Sequence, residues 1–217
     1  MPSPARCHRK FVRFFHDGFK DETYRAWERD YKANAHASWK ERLGSGELER
    51  MLRAGQWREI AARAVAIESR TNLLFSFEKM ALRDAVRGEA GARDFAEGLA
   101  AMLEAKDRRS SFEAFRDAIE RLPQPKSRVF TWPVVTVFPF IAQPSRHVFL
   151  KPNVTRAAAL AYGFDFHYAS RPNWETYESL LAFADTVRRD LTAIGDPPRD
   201  MIDVQSFLWM LGSDEYA

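Results

Sequence analysis

Lys151 stands at the mouth of a helix. The stretch from His147 to Leu150 reads as an apolar, strand-like run, Lys151 ends it, and Pro152 opens a segment that reads as a helix to Gly163. Lysine is disfavoured at that position, because the helix macrodipole places partial positive charge at the N-terminus. Beside Phe149 and Leu150, dipole and desolvation together would hold the lysine pKa down. A neutral amine there is a nucleophile able to form a Schiff base. The bland alternative is a surface lysine that extends into water.

An acid or water activator would complete such chemistry. Asp203 in "RDMIDVQSFLWM" is the leading candidate, since Ile202, Val204 and Phe207 around it would bury it in part and raise its pKa. Its structural alternative is a first-turn aspartate following an Asp200 N-cap, favourable for the dipole alone. Asp165, between Phe164 and Phe166, is the reserve. Trp132, Trp174 and Tyr177 are candidate walls or wedges for an unstacked ring, although Trp174 and Tyr177 share a helical face and could equally be core. Lys126, Arg128, His147, Asn153, Arg156 and Arg171 flank the same region and could follow phosphates; ordinary solvation is the alternative for each.

Other chemistries lack their residues. The five histidines, His8, His16, His36, His147 and His167, show no metal-ligand spacing. Neither a glycine-rich phosphate loop nor a G-x-S-x-G elbow is present. No metal or organic cofactor is implied. The single cysteine, Cys7, excludes an internal disulfide and sits in a basic N-terminus expected to fray. A restriction-type nuclease would need carboxylates and a lysine on adjacent strands, which the helical texture opposes.

Helical periodicity dominates up to about Leu122. "KDETYRAWERDYKANAHASWKERLG" spaces Tyr24, Trp27, Tyr31, Ala35 and Trp39 on a helix that ends at Gly44. "GELERMLRAG" follows, then two helices broken near Thr71 and Asn72. "GARDFAEGLAAMLEA" and "SFEAFRDAIERLP" continue the pattern, the second with Ser111 as its expected N-cap. From Gln124 to Pro152 the texture turns to proline, aromatics and β-branched residues, which allows short strands or a buried helix over "PVVTVFPFIA". Asn173 then caps a clean amphipathic helix, and "RDMIDVQSFLWML" closes the chain as a buried one. The expected fold is mainly α, a single domain over 1–217 with two lobes meeting near residue 110.

The segments around Trp132 and Lys151 together resemble the catalytic half of the helix-hairpin-helix DNA glycosylases. In that family a hairpin of the form L-P-G-V-G-x-x-T-A leads through a buried helix to V-D-T-H-V-x-R-V. Here Thr131–Val137 falls on the first motif with Thr136 matching, and Leu150–Ala157 falls on the second with Val154 and Arg156 matching. Gly163 lies within a residue of the glycine that ends the family's helix. Two departures stand out: both hairpin glycines are missing, with Thr131 and Pro133 in their places, and Lys151 replaces the catalytic aspartate. The resemblance implies base excision from double-stranded DNA by base flipping, with Lys151 and Asp203 catalytic and Trp132, Arg128, His147, Asn153, Arg156, Trp174 and Tyr177 binding the substrate. An altered catalytic position would suit a modified or bulky base, and defence against foreign phage DNA is one setting for it. The alternative is a non-catalytic module on the same scaffold that recognises DNA or a protein.

Composition bounds these readings without choosing among them. The 217 residues are 46% hydrophobic and 29% charged, enough for one sizeable core and too often interrupted by charge for a membrane span. A net charge of +3 arises from arginines interleaved with acids, so much of it is solvated pairing along helices. The expected setting is a reducing cytoplasm, with no membrane partner.

Overall fold

Capping residues and apolar spacing account for where the helices begin and end. Helix α1 (Pro4–Phe14) opens on Ser3, whose hydroxyl accepts the Arg6 N–H at 3.3 Å. Pro4 occupies its first turn, where no N–H is required. The N-terminus is therefore an ordered helix: Cys7 is buried and its thiol donates to the Ala161 carbonyl at 3.4 Å, contrary to the frayed segment expected from its basic composition. The computed structural model describes residues 3–104, 106–124 and 127–216, and among these all regular structure is helical. The mainly α class is thus observed.

Asp21 caps α2 (Glu22–Tyr24), accepting from the N–H groups of Thr23 and Tyr24. A π-helical turn, Arg25–Arg29, joins it to α3 (Asp30–Leu43). Such turns interrupt the regular ladder and are frequent at functional sites; this one carries Trp27 and Glu28. Helices α4 (Glu47–Arg53) and α5 (Trp57–Glu68) follow, then a loop through Thr71 and Asn72 to α6 (Ser76–Ala85). Helices α7 (Glu89–Glu104) and α8 (Arg108–Arg121) pack on each other. They approach closely at Gly98, where a Cβ would stand 2.4 Å from that of Ala118. Asp107, not Ser111, caps α8; Ser111 lies inside the first turn and donates back to the Arg108 carbonyl.

The proline- and valine-rich segment resolves as a helix. All 11 residues of α9 (Trp132–Ala142) are buried, and α3, α5, α7 and α8 surround it. A helix apolar on every side belongs at the centre of a core, and Pro139 is tolerated within it. Thr136 donates to the Trp132 carbonyl and accepts the Leu150 N–H at 3.0 Å, tying the extended run before Lys151 to α9.

Helix α10 (Pro152–Tyr162) ends at Gly163 in the left-handed region. Asn173 caps α11 (Trp174–Ile194) and Asp200 caps α12 (Met201–Gly212), as their sequences indicate. Helix α10 lies against α12, and a Cβ at Gly212 would come within 2.1 Å of the Val154 carbonyl oxygen, so glycine sets that approach. Helix α1 packs on α10, α11 and α12, and its Phe11 meets Phe15, Phe19, Tyr24 and Phe207. Burying each phenylalanine contributes about 1.5–3 kcal/mol, so this cluster binds the two ends of the chain together. The lobe division expected near residue 110 falls within α8. No helix among the described residues is long and apolar enough to cross a membrane.

Candidate functional site

Lys151 is buried, 6% exposed, at the N-cap position of α10. Its extended backbone and the proline after it turn the side chain off the helix axis and toward the loop between α5 and α6. There Nζ donates to the Leu73 carbonyl at 2.8 Å and stands 3.5 Å from the centroid of the Phe75 ring. No carboxylate among the described residues forms an ion pair with it. Burial pushes its pKa down; Glu78 and Glu68 nearby offset part of this, and Lys79 adds to it. The surface-lysine alternative is excluded.

Two buried glutamates build the loop that receives the lysine. Glu68 on α5 accepts the Leu74 N–H at 3.3 Å and the Thr71 hydroxyl at 3.1 Å. Glu78 on α6 accepts the Phe75 N–H at 2.9 Å. Lys79 spans the loop from outside, donating to the Thr71 carbonyl at 2.5 Å. These side chains satisfy backbone groups that a buried loop would otherwise leave unpaired, and they hold Leu73 and Phe75 in place.

Lys151 lies where two cavities meet. The larger, about 770 Å³, extends between the π turn, the α5–α6 loop and α12. Its aromatic lining includes Trp27, Tyr31, Phe75 and Trp209. Trp27 and Phe75 are mostly exposed, at 62% and 53%. The smaller, about 450 Å³, runs along the N-terminus of α10 past Arg128, Trp132 and Asn153. Phe75, Lys151 and Trp209 belong to both.

Deeper in the larger cavity lies a buried polar cluster. Lys32 directs Nζ at the Glu28 carbonyl (2.7 Å), the Glu28 carboxylate (3.1 Å) and the Ser206 hydroxyl (2.9 Å). Tyr216 donates to the other Glu28 oxygen at 2.6 Å. Burial pushes the Lys32 pKa down and the Glu28 carboxylate opposes it. Gln205, 3% exposed, completes this end of the cavity.

The sequence matches no protein-family model, no curated protein and no solved structure. The site is therefore read from its own geometry.

That geometry sorts the residues singled out by sequence. Lys151, Trp132, Arg128 and Asn153 line one cavity together. Trp132 is almost wholly buried, with its indole N–H on the Ala169 carbonyl at 2.8 Å, so it is a wall and cannot be a wedge. Arg156 is exposed one helical turn along α10, against the Tyr168 ring. Arg171 is exposed and paired with Glu120. Asp165 is exposed beside His167. Lys126 lies outside the described residues.

Asp203 lines neither cavity. It is completely buried, and its carboxylate accepts from Tyr24 at 2.5 Å, Arg29 at 2.7 Å and Arg199 at 2.8 Å. Burial alone would raise its pKa, as its sequence neighbours suggest, but the Arg199 and Tyr24 hydrogen bonds and the Arg29 charge outweigh it and hold the pKa low. A carboxylate locked by two guanidinium groups is a structural anion, which removes Asp203 as an acid facing Lys151. His147 is also buried, with Nδ1 2.9 Å from the Tyr177 hydroxyl, and burial pushes its pKa down to about 3. Neutral and enclosed, it does not reach a phosphate. Trp174 and Tyr177 pack with Phe112 in the core, which is the bland reading of their helical spacing.

Sequence reasoning missed Phe75, Trp27, Lys32, Glu28 and Gln205. The only local signal was the pair Phe75 and Phe77, two phenylalanines at the start of α6 beside charged residues; they stack with centroids 5.7 Å apart and stay exposed. Among the described residues no cluster of histidine, cysteine, aspartate and glutamate is arranged to hold a metal ion. What the arrangement offers is a buried amine whose pKa is held down in an apolar cleft, flat aromatic faces around it, and cationic side chains at its edge.

Proposed function

We propose that this protein is a DNA glycosylase that takes an extruded base into the cavity beside Lys151. The observation that carries the reading is the buried Lys151 amine, unpaired with any carboxylate and open to both cavities. Depression of its pKa enlarges the neutral fraction that can attack. Exposed rings of Trp27 and Phe75 offer stacking faces for an unpaired base. Arg128, Asn153 and Arg156 lie along α10 and its approach, where a phosphate backbone would run. The motif likeness through Thr136, Val154 and Arg156 supports the same reading.

The chemistry balances without a cofactor. The Nζ lone pair attacks C1′ of the deoxyribose, and the bond from C1′ to the base breaks with its electrons leaving on the base, which gains a proton. The sugar ring opens as the nitrogen forms a Schiff base with C1′, and O4′ takes a proton. Water then hydrolyses the Schiff base to an abasic aldehyde and the free amine. The larger cavity has room for much more than a bare base, which suits a modified base and a role against foreign DNA.

One observation favours a second reading, a non-catalytic DNA-recognition module: Asp203 is locked away, and Glu28 is bound by Lys32 and Tyr216, so neither carboxylate is free to act with Lys151. The deciding experiment incubates the protein with duplex DNA from several sources, including phage DNA with modified bases. Abasic sites are counted beside a Lys151→Ala control, and borohydride is added to trap a Schiff base. Lysine-dependent abasic sites and a trapped adduct are expected. Intact DNA with retained binding would select the recognition module, and absence of salt-sensitive binding would remove both.

A further inference from the structure

Among the described residues, Gln205 is the one deeply buried polar side chain of the larger cavity that its surroundings leave unsatisfied. It projects from α12, and its Oε1 has no hydrogen-bond partner among the described residues. Its neighbours have nothing to give. The Lys32 ammonium directs its three N–H groups to Glu28 and Ser206, and the Tyr216 hydroxyl is held by Glu28. A buried acceptor left unmade is costly, and each such group in a folded protein calls for an explanation. The aromatic lining of the same cavity, with Trp27, Tyr31 and Trp209, is suited to a flat ring.

We infer that Gln205 is the base-reading residue of this cavity, and that the ligand is a planar heterocycle whose edge offers an N–H donor beside an acceptor. Such an amide or amidine edge belongs to the nucleobases, and a carboxamide pairs with it through two hydrogen bonds. The terminal torsion of glutamine is broad, so the amide turns toward the cavity without breaking any bond at Oε1. Stacking on the walls would be indifferent to the identity of the ring; the amide supplies the selection. This inference rests on the reading of the cavity as a base site, but it concerns recognition and is tested apart from base release.

The test titrates the full-length protein with free nucleosides in donor-intact and donor-blocked pairs: uridine against 3-methyluridine, and cytidine against its N4,N4-dimethyl derivative. Each parent is expected to bind at least about tenfold more tightly than its blocked partner, the discrimination that one buried hydrogen bond supports. In Gln205→Leu the parents weaken and each pair converges. Thermal denaturation checks that the variant is folded, and Gln205→Met replaces it if it is not. Equal binding of the pairs by wild type overturns the inference, and so does discrimination that survives in the variant, because steric exclusion would then be the cause. Abasic sites formed without nucleoside binding would leave the glycosylase standing and remove this role for Gln205. Selective binding without base release would do the opposite.

Discussion

The Lys151 ammonium stands over the ring of Phe75, 3.5 Å from its centroid. Two opposed effects meet in that contact. The apolar cover disfavours the charged amine, whereas the π face favours it. Their balance decides how much of Lys151 is neutral, and hence nucleophilic, near neutral pH.

Phe75→Leu separates the two effects, because leucine keeps the cover and removes the π face. A cation–π contact in a partly desolvated site contributes about 1–2 kcal/mol, and one pKa unit is about 1.4 kcal/mol. The Lys151 pKa is therefore expected to fall by about one further unit. NMR titration of ¹⁵N-lysine signals measures this directly, and an unchanged pKa would show that the ring contributes cover alone.

Two buried lysines should answer replacement by methionine differently. Lys32→Met strands the buried Glu28 carboxylate, and breaking a buried pair in this way costs about 3–5 kcal/mol. Among the described residues Lys151 forms no ion pair, so Lys151→Met strands only the Leu73 carbonyl and is expected to cost less, about 1–3 kcal/mol. Urea denaturation of both variants provides the comparison. Equal losses would mean that Lys151 is a structural residue.

His147 makes stability depend on pH. Its folded pKa lies at about 3, below the ordinary histidine value, so the neutral form is the one the fold prefers. The contribution is complete above the unfolded pKa and is lost as pH falls toward the folded one. Between pH 7 and pH 5 the loss is about 2 kcal/mol for one titrating group. His147→Gln, which keeps a polar partner for Tyr177 but does not titrate, should flatten this part of the stability curve. Denaturant midpoints at pH 5 and pH 7 for both proteins test it.

Asp203 acts on the acid side of that window. Its folded pKa is depressed, so its contribution is present above the unfolded carboxylate pKa and disappears as pH falls through the folded value. Asp203→Asn leaves Arg29 and Arg199 without their shared anion and is expected to cost about 3–5 kcal/mol at neutral pH. Chemical denaturation at pH 7 measures the loss; a variant as stable as wild type would reopen a role in catalysis.

Trp27 and Trp174 separate surface from core. Trp27→Ala is expected to leave stability within about 0.5 kcal/mol while weakening DNA binding by about 1–3 kcal/mol, the range for one stacked base. Trp174→Ala should destabilise the fold by about 3–5 kcal/mol. Thermal melts paired with gel-shift titrations report both quantities. Unchanged DNA affinity in Trp27→Ala would remove it from the binding surface.

The helical class, the caps at Asn173 and Asp200, the Gly163 terminus and the placement of Lys151 at a helix mouth were all legible in the sequence. Each depends on residues a few positions apart, through hydrogen bonds and periodicity that a local reading captures. The segment around Pro139 stayed ambiguous between strand and helix, because a short run apolar on every side carries no period; only its burial among four helices resolved it. The site was decided by tertiary structure. Leu73 and Phe75 meet Lys151 from across the chain, and Tyr24 and Arg29 reach Asp203 from the opposite end of the sequence. No local spacing encodes those encounters. Whether a buried lysine is left unpaired or a buried aspartate is locked depends on which distant side chains packing brings to it.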